Sequence, residues 1–425
     1  MIDYKNMIHV NGGYTVSICY DKLWKLLIDK KMNRTELKEA SGISFNVLAR
    51  MGKNEPISFD SIEKICITLN CDIGDIIEIE KPKVEEIKDF DYTTIELFAG
   101  AGGLALGVEK AGFDTLGLIE FDKDASDTLK LNRPNWRVIH DDIANISCLD
   151  LEDYFGIKKG ELDLLSGGAP CQAFSYAGKR LGLEDARGTL FYHYATFLQK
   201  LQPKMFLFEN VRGLLTHDRG RTYATITNIF EQAGYTIQKQ VLNAWDYGNA
   251  QKRERLITIG IRNDLCDRVR YQFPEPHDYK PVLRDVLLDC PEGPGVPYGE
   301  KKRKIFELVP PGGYWRDIDT EIAKEYMKSC WDMEGGRTGI LRRMSLDEPS
   351  LAVLTSPSQK QTERCHPLEA RPFTVRENAR CQSFPDDWQF CGNVSSQYKQ
   401  VGNAVPVNLA YDIAKEIHKA LEAIK

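Results

Sequence analysis

Two apolar runs constrain how this chain can fold. Residues 162–166 and 205–208 read as buried strands, and each ends in a reactive side chain. The first leads into Gly167-Gly168-Ala169-Pro170-Cys171-Gln172, the second into Glu209-Asn210-Val211. Neighbouring strands of a parallel sheet end at the same edge, so a thiol and a carboxyl meet there. A thiolate beside a carboxylic acid can attack a flat, electron-poor ring, and protonation stabilises the adduct. That chemistry suits a pyrimidine base.

From Thr94 onward the chain alternates strand and helix, the signature of a doubly wound α/β sheet. Residues 94–98 form a first strand, 104–111 a helix, 116–119 a second strand, and 256–261 a later one. After about Phe273 the alternation fades, and prolines and glycines become frequent, as in Val309-Pro310-Pro311-Gly312-Gly313. Gly100, Gly102 and Gly103 lie between the first strand and first helix, where a glycine-rich turn lets a nucleotide approach the backbone. Their spacing differs from the dinucleotide fingerprint, which weighs against a nicotinamide cofactor. Glu120 ends the second strand, where an acid accepts ribose hydroxyls. Asp142 follows the third strand candidate and can take an adenine amino group. Read singly, both acids could equally be solvated strand ends.

The first 80 residues follow a different pattern. Residues 20–31 carry Leu23, Leu26 and Leu27 at helical spacing, with Trp24 beside them. Asn33 can cap a second helix over 34–41 that Gly42 ends. Ser44 can cap a third helix containing Val47 and Leu48. Ser58 or Asp60 can start a fourth, with Ile62, Ile65, Cys66 and Leu69 inward. Two short helices joined by a glycine turn form a helix-turn-helix. Residues 1–80 resemble the phage-repressor type of that domain, which implies that Ser44, Asn46 and Arg50 face a major groove. A helical domain that only docks proteins or dimerises is the competing reading. The local excess of Lys31, Arg34, Lys38, Arg50 and Lys53 over Glu36 and Glu39 favours DNA. Residues 81–92, charged and containing Pro82, read as a linker.

A length of 425 residues with 42% hydrophobic content allows two or three domains. No apolar run is long enough to span a membrane, and Asp3 and Lys5 precede no signal-type apolar core. The eleven cysteines have scattered spacings and no zinc pattern, so no metal is expected. Reduced thiols in a cytoplasm fit, and a reactive Cys171 requires them. The net charge of −6 weighs mildly against a nucleic-acid partner. Local clusters matter more for phosphate contact, and Lys301-Lys302-Arg303-Lys304 and Arg342-Arg343 are such clusters.

Further motifs complete an order. Phe98-Ala99-Gly100-Ala101-Gly102-Gly103 precedes the cysteine loop, and Gln251-Lys252-Arg253-Glu254-Arg255 follows Glu209. Beyond them come Arg376-Glu377-Asn378-Ala379-Arg380, Ser383-Phe384-Pro385-Asp386-Asp387-Trp388 and Gln400-Val401-Gly402-Asn403-Ala404-Val405-Pro406. With its motifs in this order, the chain from about Thr93 resembles the DNA (cytosine-5) methyltransferase family. The resemblance implies a catalytic domain over 93–273, a smaller variable target-recognition domain over 274–398, and a return to the catalytic domain over 399–425. It implies S-adenosylmethionine as cofactor, held by Phe98, Ala99, Gly100, Gly102, Gly103, Leu104, Glu120, Phe121, Asp142, Ile143, Pro170, Leu190, Asn403 and Val405.

The family's path then assigns roles. Cys171 adds to carbon 6 of cytosine, Glu209 stabilises the ring at nitrogen 3, and carbon 5 takes the methyl group before its proton and the thiol leave. Arg255 would hold the ring carbonyl oxygen, Arg253 would orient the loop or a phosphate, and Asn210 would tie the strand end. The base must be swung out of a duplex. Residues 174–188 resemble a loop closing over flipped DNA, with Gly178 and Gly182 as hinges and Lys179, Arg180 and Arg187 as phosphate contacts. Residues 359–364 and Gly335-Gly336-Arg337-Thr338-Gly339 are polar clusters suited to reading bases.

The expected function is methylation of carbon 5 of a flipped cytosine in a short duplex sequence. It would protect DNA in a restriction-modification system whose endonuclease it need not touch, and the N-terminal domain would bind operator DNA. Two other readings stay open. A transcription regulator with a vestigial catalytic half is opposed by the intact Cys171, Glu209 and Arg255. An RNA cytosine-5 methyltransferase is opposed by the long variable domain and the helix-turn-helix.

Overall fold

The computed structural model describes residues 17–52, 57–80, 90–169 and 190–425, apart from 333, 335, 336, 358, 360 and 361. The chain divides into two compact units between residues 88 and 89.

The first unit contains β1 (Ser17–Cys19), α1 (Asp21–Asp29), α2 (Arg34–Ser41), α3 (Phe45–Met51), α4 (Phe59–Leu69) and β2 (Glu78–Glu80), with β1 and β2 antiparallel. Its helices start where local chemistry satisfies orphan N–H groups. Asn33 Oδ1 accepts from Glu36 N at 2.9 Å, and Glu36 Oε2 accepts from Asn33 N at 2.8 Å, a reciprocal capping box. Ser44 and Ser58 cap α3 and α4 by accepting from Val47 N and Ser61 N. Tyr20, Leu23, Leu27, Leu37, Leu48, Met51, Ile62, Ile65 and Leu69 are buried together. Cys66, expected inward, is only partly buried at the margin of this core.

The second unit opens with β3 (Tyr92–Leu97), α5 (Gly103–Lys110), β4 (Phe113–Glu120), α6 (Lys123–Asn132), β5 (Val138–His140), α7 (Ile143–Cys148), α8 (Leu151–Phe155) and β6 (Leu164–Gly167). It continues through α9 (Leu190–Leu201), β7 (Met205–Val211), α10 (Arg221–Gln232), β8 (Tyr235–Asn243), β9 (Gln251–Lys252) and β10 (Glu254–Arg262). Its remaining elements are α11 (Arg284–Leu287), α12 (Glu300–Leu308), α13 (Thr320–Met327), β11 (Ser350–Leu351), α14 (Val375–Cys381), α15 (Val394–Asn403) and α16 (Val407–Glu422).

The main sheet has the order β5-β4-β3-β6-β7-β10-β8. Strands β3 to β7 pair in parallel, but β10 runs antiparallel to both β7 and β8. The doubly wound pattern therefore ends in a reversed strand. The connection from β8 to β10 has no helix of crossover length, and a short connection joins antiparallel neighbours. On one face of the sheet, Leu164, Leu207 and Ile259 pack with Leu104 and Val108 of α5 and Leu409 and Ile413 of α16. On the other, Ile95, Leu165, Phe206 and Phe208 pack with Ile146, Leu151, Tyr194 and Phe230 from α7, α8, α9 and α10.

The apolar residues between 274 and 398 divide between two cores. Tyr298, Phe306, Val309, Trp315, Met327, Leu341 and Cys365 form a core of their own. Phe373, Val375, Ala379, Phe384, Trp388 and Tyr398 pack instead with Ala101, Leu106 and Leu129. Side chains stitch this second group down. Arg376 donates to the carbonyls of Pro385 and Trp388 at 3.1 and 2.6 Å, and Gln382 Nε2 donates to those of Val401 and Ala404. Among the described residues no helix is long and apolar enough to cross a membrane.

Candidate active site

Because β4, β3, β6 and β7 are parallel, their C-terminal ends open on one edge. The order of connection reverses at β3, which has β4 on one side and β6 on the other. A crevice for ligand lies outside such a switch point.

On the β3–β4 side the backbone is unusual. Phe98 has φ 59°, left-handed for a residue with a side chain, and Gly100 and Gly102 have φ 55° and 86°. The strain at Phe98 is on the order of 1–3 kcal/mol and occurs in the turn expected to meet a nucleotide. Gly100 N donates to Glu120 Oε2 at 2.7 Å, and Asp122 N donates to Glu120 Oε1 at 2.7 Å. Burial pushes the Glu120 carboxyl above its usual range, and these two N–H groups pull it partly back. Each oxygen retains a second lone pair, which suits the two hydroxyls of a ribose.

Phe121 is largely exposed, and Ala99, Leu104 and Ile143 are buried. Asp142 caps α7 by accepting from Ala144 N at 2.9 Å. Gly103 begins α5 so close to the return segment that an added Cβ would lie 2.2 Å from Val405 O. Val405, partly buried, is thereby brought to the glycine turn, and Asn403, two residues earlier, is exposed. Leu190 opens α9. Pro170 lies outside the described residues. An acid ready for hydroxyls, an exposed aromatic ring and a glycine turn fit an adenosine-type ligand.

On the β6–β7 side, Glu209 Oε1 and Arg255 Nε form a 2.7 Å ion pair, with side chains only 13% and 14% exposed. The β7–β10 register makes this possible: Ile257 faces Glu209 and Arg255 faces Val211, so the two charges are diagonal neighbours. Gly168, just after β6, would bring an added Cβ to 2.6 Å from Glu209 Oε2. A side chain here would have to displace the Glu209 carboxylate. Asn210 Nδ2 donates to Ala169 O at 2.9 Å and holds the start of the same loop. Cys171 follows two residues later and lies outside the described residues, as do Lys179, Arg180 and Arg187.

Arg253 departs from expectation. It is 4% exposed, and its guanidinium donates to Val353 O at 3.1 Å and Gly402 O at 2.8 Å. Burial, with Arg255 nearby, lowers its pKa to about 9. A side chain so enclosed does not reach a phosphate. It ties the chain just before β10 to residue 353, inside the 274–398 region, and to residue 402, after it.

Two residues were not singled out from the sequence. Glu96 sits in β3, 2% exposed, with Oε2 unpartnered among the described residues, and burial pushes its carboxyl far above the usual range. An acid inside the apolar run Thr94-Ile95-Glu96-Leu97 was the visible signal. Phe45 is 67% exposed at the start of α3, with Lys38 Nζ 6.0 Å from its ring. It adjoins Asn46 and Arg50, which are exposed and share a helical face four residues apart. Ser44 is engaged by its own helix cap.

Comparison with known proteins agrees with this geometry. Residues 92–419 match the model of the C-5 cytosine-specific DNA methylases, and 22–82 match that of Cro/C1-type helix-turn-helix DNA-binding domains. The chain is 48% identical over 420 residues to the Type II methyltransferase M.Sau96I of Staphylococcus aureus, covering 92% of this chain and 96% of that one. It is 50% identical over 351 residues to the Type II methyltransferase M.Eco47II of Escherichia coli, covering 81% and 82%. A solved structure described as a DNA modification methyltransferase encoded within an E. coli prophage shares the fold, with TM-score 0.58 at 24% identity over 78% of this chain and 100% of that one. The chain belongs to the C-5 cytosine-specific DNA methylase family, takes its methyl group from S-adenosylmethionine, and carries a Cro/C1-type helix-turn-helix domain ahead of the catalytic part.

Proposed function

We propose that this enzyme methylates carbon 5 of a cytosine flipped out of a short duplex sequence, protecting that DNA beside a companion restriction endonuclease. The Glu209–Arg255 pair packed against the start of the cysteine loop carries the reading. Glu209 Oε2, the oxygen turned toward Gly168, is available to the ring nitrogen, while Arg255 keeps donors for the ring carbonyl. Cys171 attacks carbon 6, and the ring's electrons move toward nitrogen 3, where Glu209 stabilises them. S-adenosylmethionine, when bound, supplies the electrophilic methyl group that carbon 5 attacks. A base then takes the carbon 5 proton, and Cys171 leaves with the electron pair of its bond. A thiol that must stay reduced favours a cytoplasmic setting. Bisulfite sequencing of DNA from cells expressing the chain tests the function. Protected cytosines in a recurring sequence support it, and their absence rejects it. Methylation of RNA instead of duplex DNA would favour the RNA reading.

Glu120 is proposed to hold the ribose. Glu120→Ala should raise the dissociation constant for S-adenosylmethionine about 10- to 150-fold, the loss of a charge-assisted hydrogen bond of ~1.5–3 kcal/mol. Calorimetry showing unchanged affinity would remove it from the site. The ionised carboxylate is the better acceptor, and its pKa is raised by burial. Cofactor binding should therefore weaken on acidification at a higher pH than an ordinary carboxylate would cause, and Glu120→Gln should flatten that dependence.

The N-terminal unit, with its own core, is proposed to repress the enzyme's own promoter. Repressor-type modules bind paired half-sites about one helical turn apart, and binding weakens steeply with salt. Deleting residues 1–80 should spare methylation and relieve a promoter reporter. If the 1–80 fragment does not shift upstream DNA at low salt and the reporter is unchanged, the unit serves another purpose.

A further inference from the structure

Segments 339–344 and 363–365 run side by side. Glu363 N donates to Gly339 O at 2.8 Å, Cys365 N to Arg342 O at 3.0 Å, and Met344 N to Cys365 O at 3.0 Å, around a parallel bridge between Arg343 and Cys365. Side chains alternate across such a pair. Cys365 is fully buried in the small-lobe core, and Arg343 turns inward to the carbonyls of Phe306, Val309 and Pro367. Arg342 and Arg364, one residue earlier on each segment, share the opposite face as direct neighbours.

Like charges side by side are destabilising. Arg364 registers this: burial first and then the Arg342 charge lower its pKa to about 10. Neither Nε has a hydrogen-bond partner among the described residues. Arg364 Nη1 donates to Glu363 O at 2.9 Å. Arg342 has Glu348 at 3.6 Å, a long contact to a carboxylate that is 58% exposed, and the Tyr314 ring at 6.0 Å.

The pair is nonetheless held rigidly. Leu341, just before Arg342, has φ 51°, strained for a side-chain residue. Glu363, just before Arg364, is fully buried. Its carboxylate accepts from Leu341 N at 2.6 Å and Tyr326 OH at 2.5 Å, and pairs with Lys302 Nζ at 2.7 Å. One buried acid thus pins the backbone beneath both arginines. Rigid support of this kind preorganises a recognition site.

We infer that Arg342 and Arg364 are DNA-contacting residues that grip paired acceptors on the substrate, a guanine edge or a phosphate, an inference that rests on the DNA-methylating reading above. A guanidinium offers a planar fork to guanine O6 and N7 or to two phosphate oxygens.

The test begins by mapping the wild-type target by bisulfite sequencing of genomic DNA that lacks prior cytosine methylation. A duplex oligonucleotide carrying that target is the probe. Arg342→Gln and Arg364→Gln should each lower kcat/KM about 5- to 150-fold, with melting temperature not lowered and calorimetric S-adenosylmethionine affinity unchanged. Base reading predicts that 7-deazaguanine at one target position slows the wild type by a similar factor and slows the variant no further. Phosphate gripping predicts equal loss of affinity for target and non-target duplexes and a salt slope reduced by about one per arginine. Either result supports the inference. Should the Gln variants fail to fold, Arg342→Lys and Arg364→Lys, which keep the charge and lose the fork, carry the same comparison. Folded variants that methylate the probe within about twofold of wild type overturn it. A wild-type chain that methylates nothing would instead remove the methyltransferase reading itself.

Discussion

Cys171→Ser is expected to reduce methyl transfer by at least about 10³-fold while leaving duplex DNA binding largely intact. A serine hydroxyl is a far poorer nucleophile than a thiol near neutral pH, and the substitution changes little in shape. The surrounding frame should survive, because Asn210 Nδ2 holds the start of the loop through the carbonyl of Ala169. A labelled-methyl assay reads the rate and a gel shift reads the binding. Turnover near the wild-type rate would reject Cys171 as the nucleophile. A duplex with 5-fluorocytosine at the target gives an independent check, since fluorine cannot leave as a proton does. The wild type should then stay covalently attached on a denaturing gel, and Cys171→Ser should not.

Arg253→Ala should destabilise the catalytic unit by about 3 kcal/mol, because two buried carbonyls lose a charged donor. Val353 O and Gly402 O lie on segments 100 and 149 residues away in the chain, so the loss loosens a long-range tie. Relief of the buried charge offsets part of the effect and keeps it from being larger. Thermal melting should show a drop of several degrees, with activity recovering on cooling. A variant that melts like the wild type yet loses turnover would return Arg253 to the reacting groups.

Caps and turns were legible because they depend on neighbours three or four residues away. Asn33, Ser44 and Ser58 start helices as their residue types demand. The meeting of Glu209 with the cysteine loop was legible for a different reason. Two apolar strands ending in polar residues bring those residues together once the strands are parallel neighbours, and β6 and β7 are. The reversed strand β10 was not legible, because an apolar run such as Leu256-Ile257-Thr258-Ile259 suits either direction. The division of 274–398 between two cores was also hidden, since Trp388 and Phe306 look alike in a list of apolar residues.

The sequence by itself determined the element types, the helix-turn-helix, the glycine turn with Glu120, and the reactive edge with Glu209, all set by short-range periodicity, capping and strand ends. Only the tertiary structure decided the fates of the arginines. Arg253 and Arg255 are two residues apart on one strand motif, yet one is sealed against distant carbonyls and the other pairs with Glu209. Arg342 and Arg343 are adjacent, yet one supports the core and the other faces Arg364's side of the bridge. A guanidinium goes where acceptors are, and those acceptors come from segments brought close only when the chain folds.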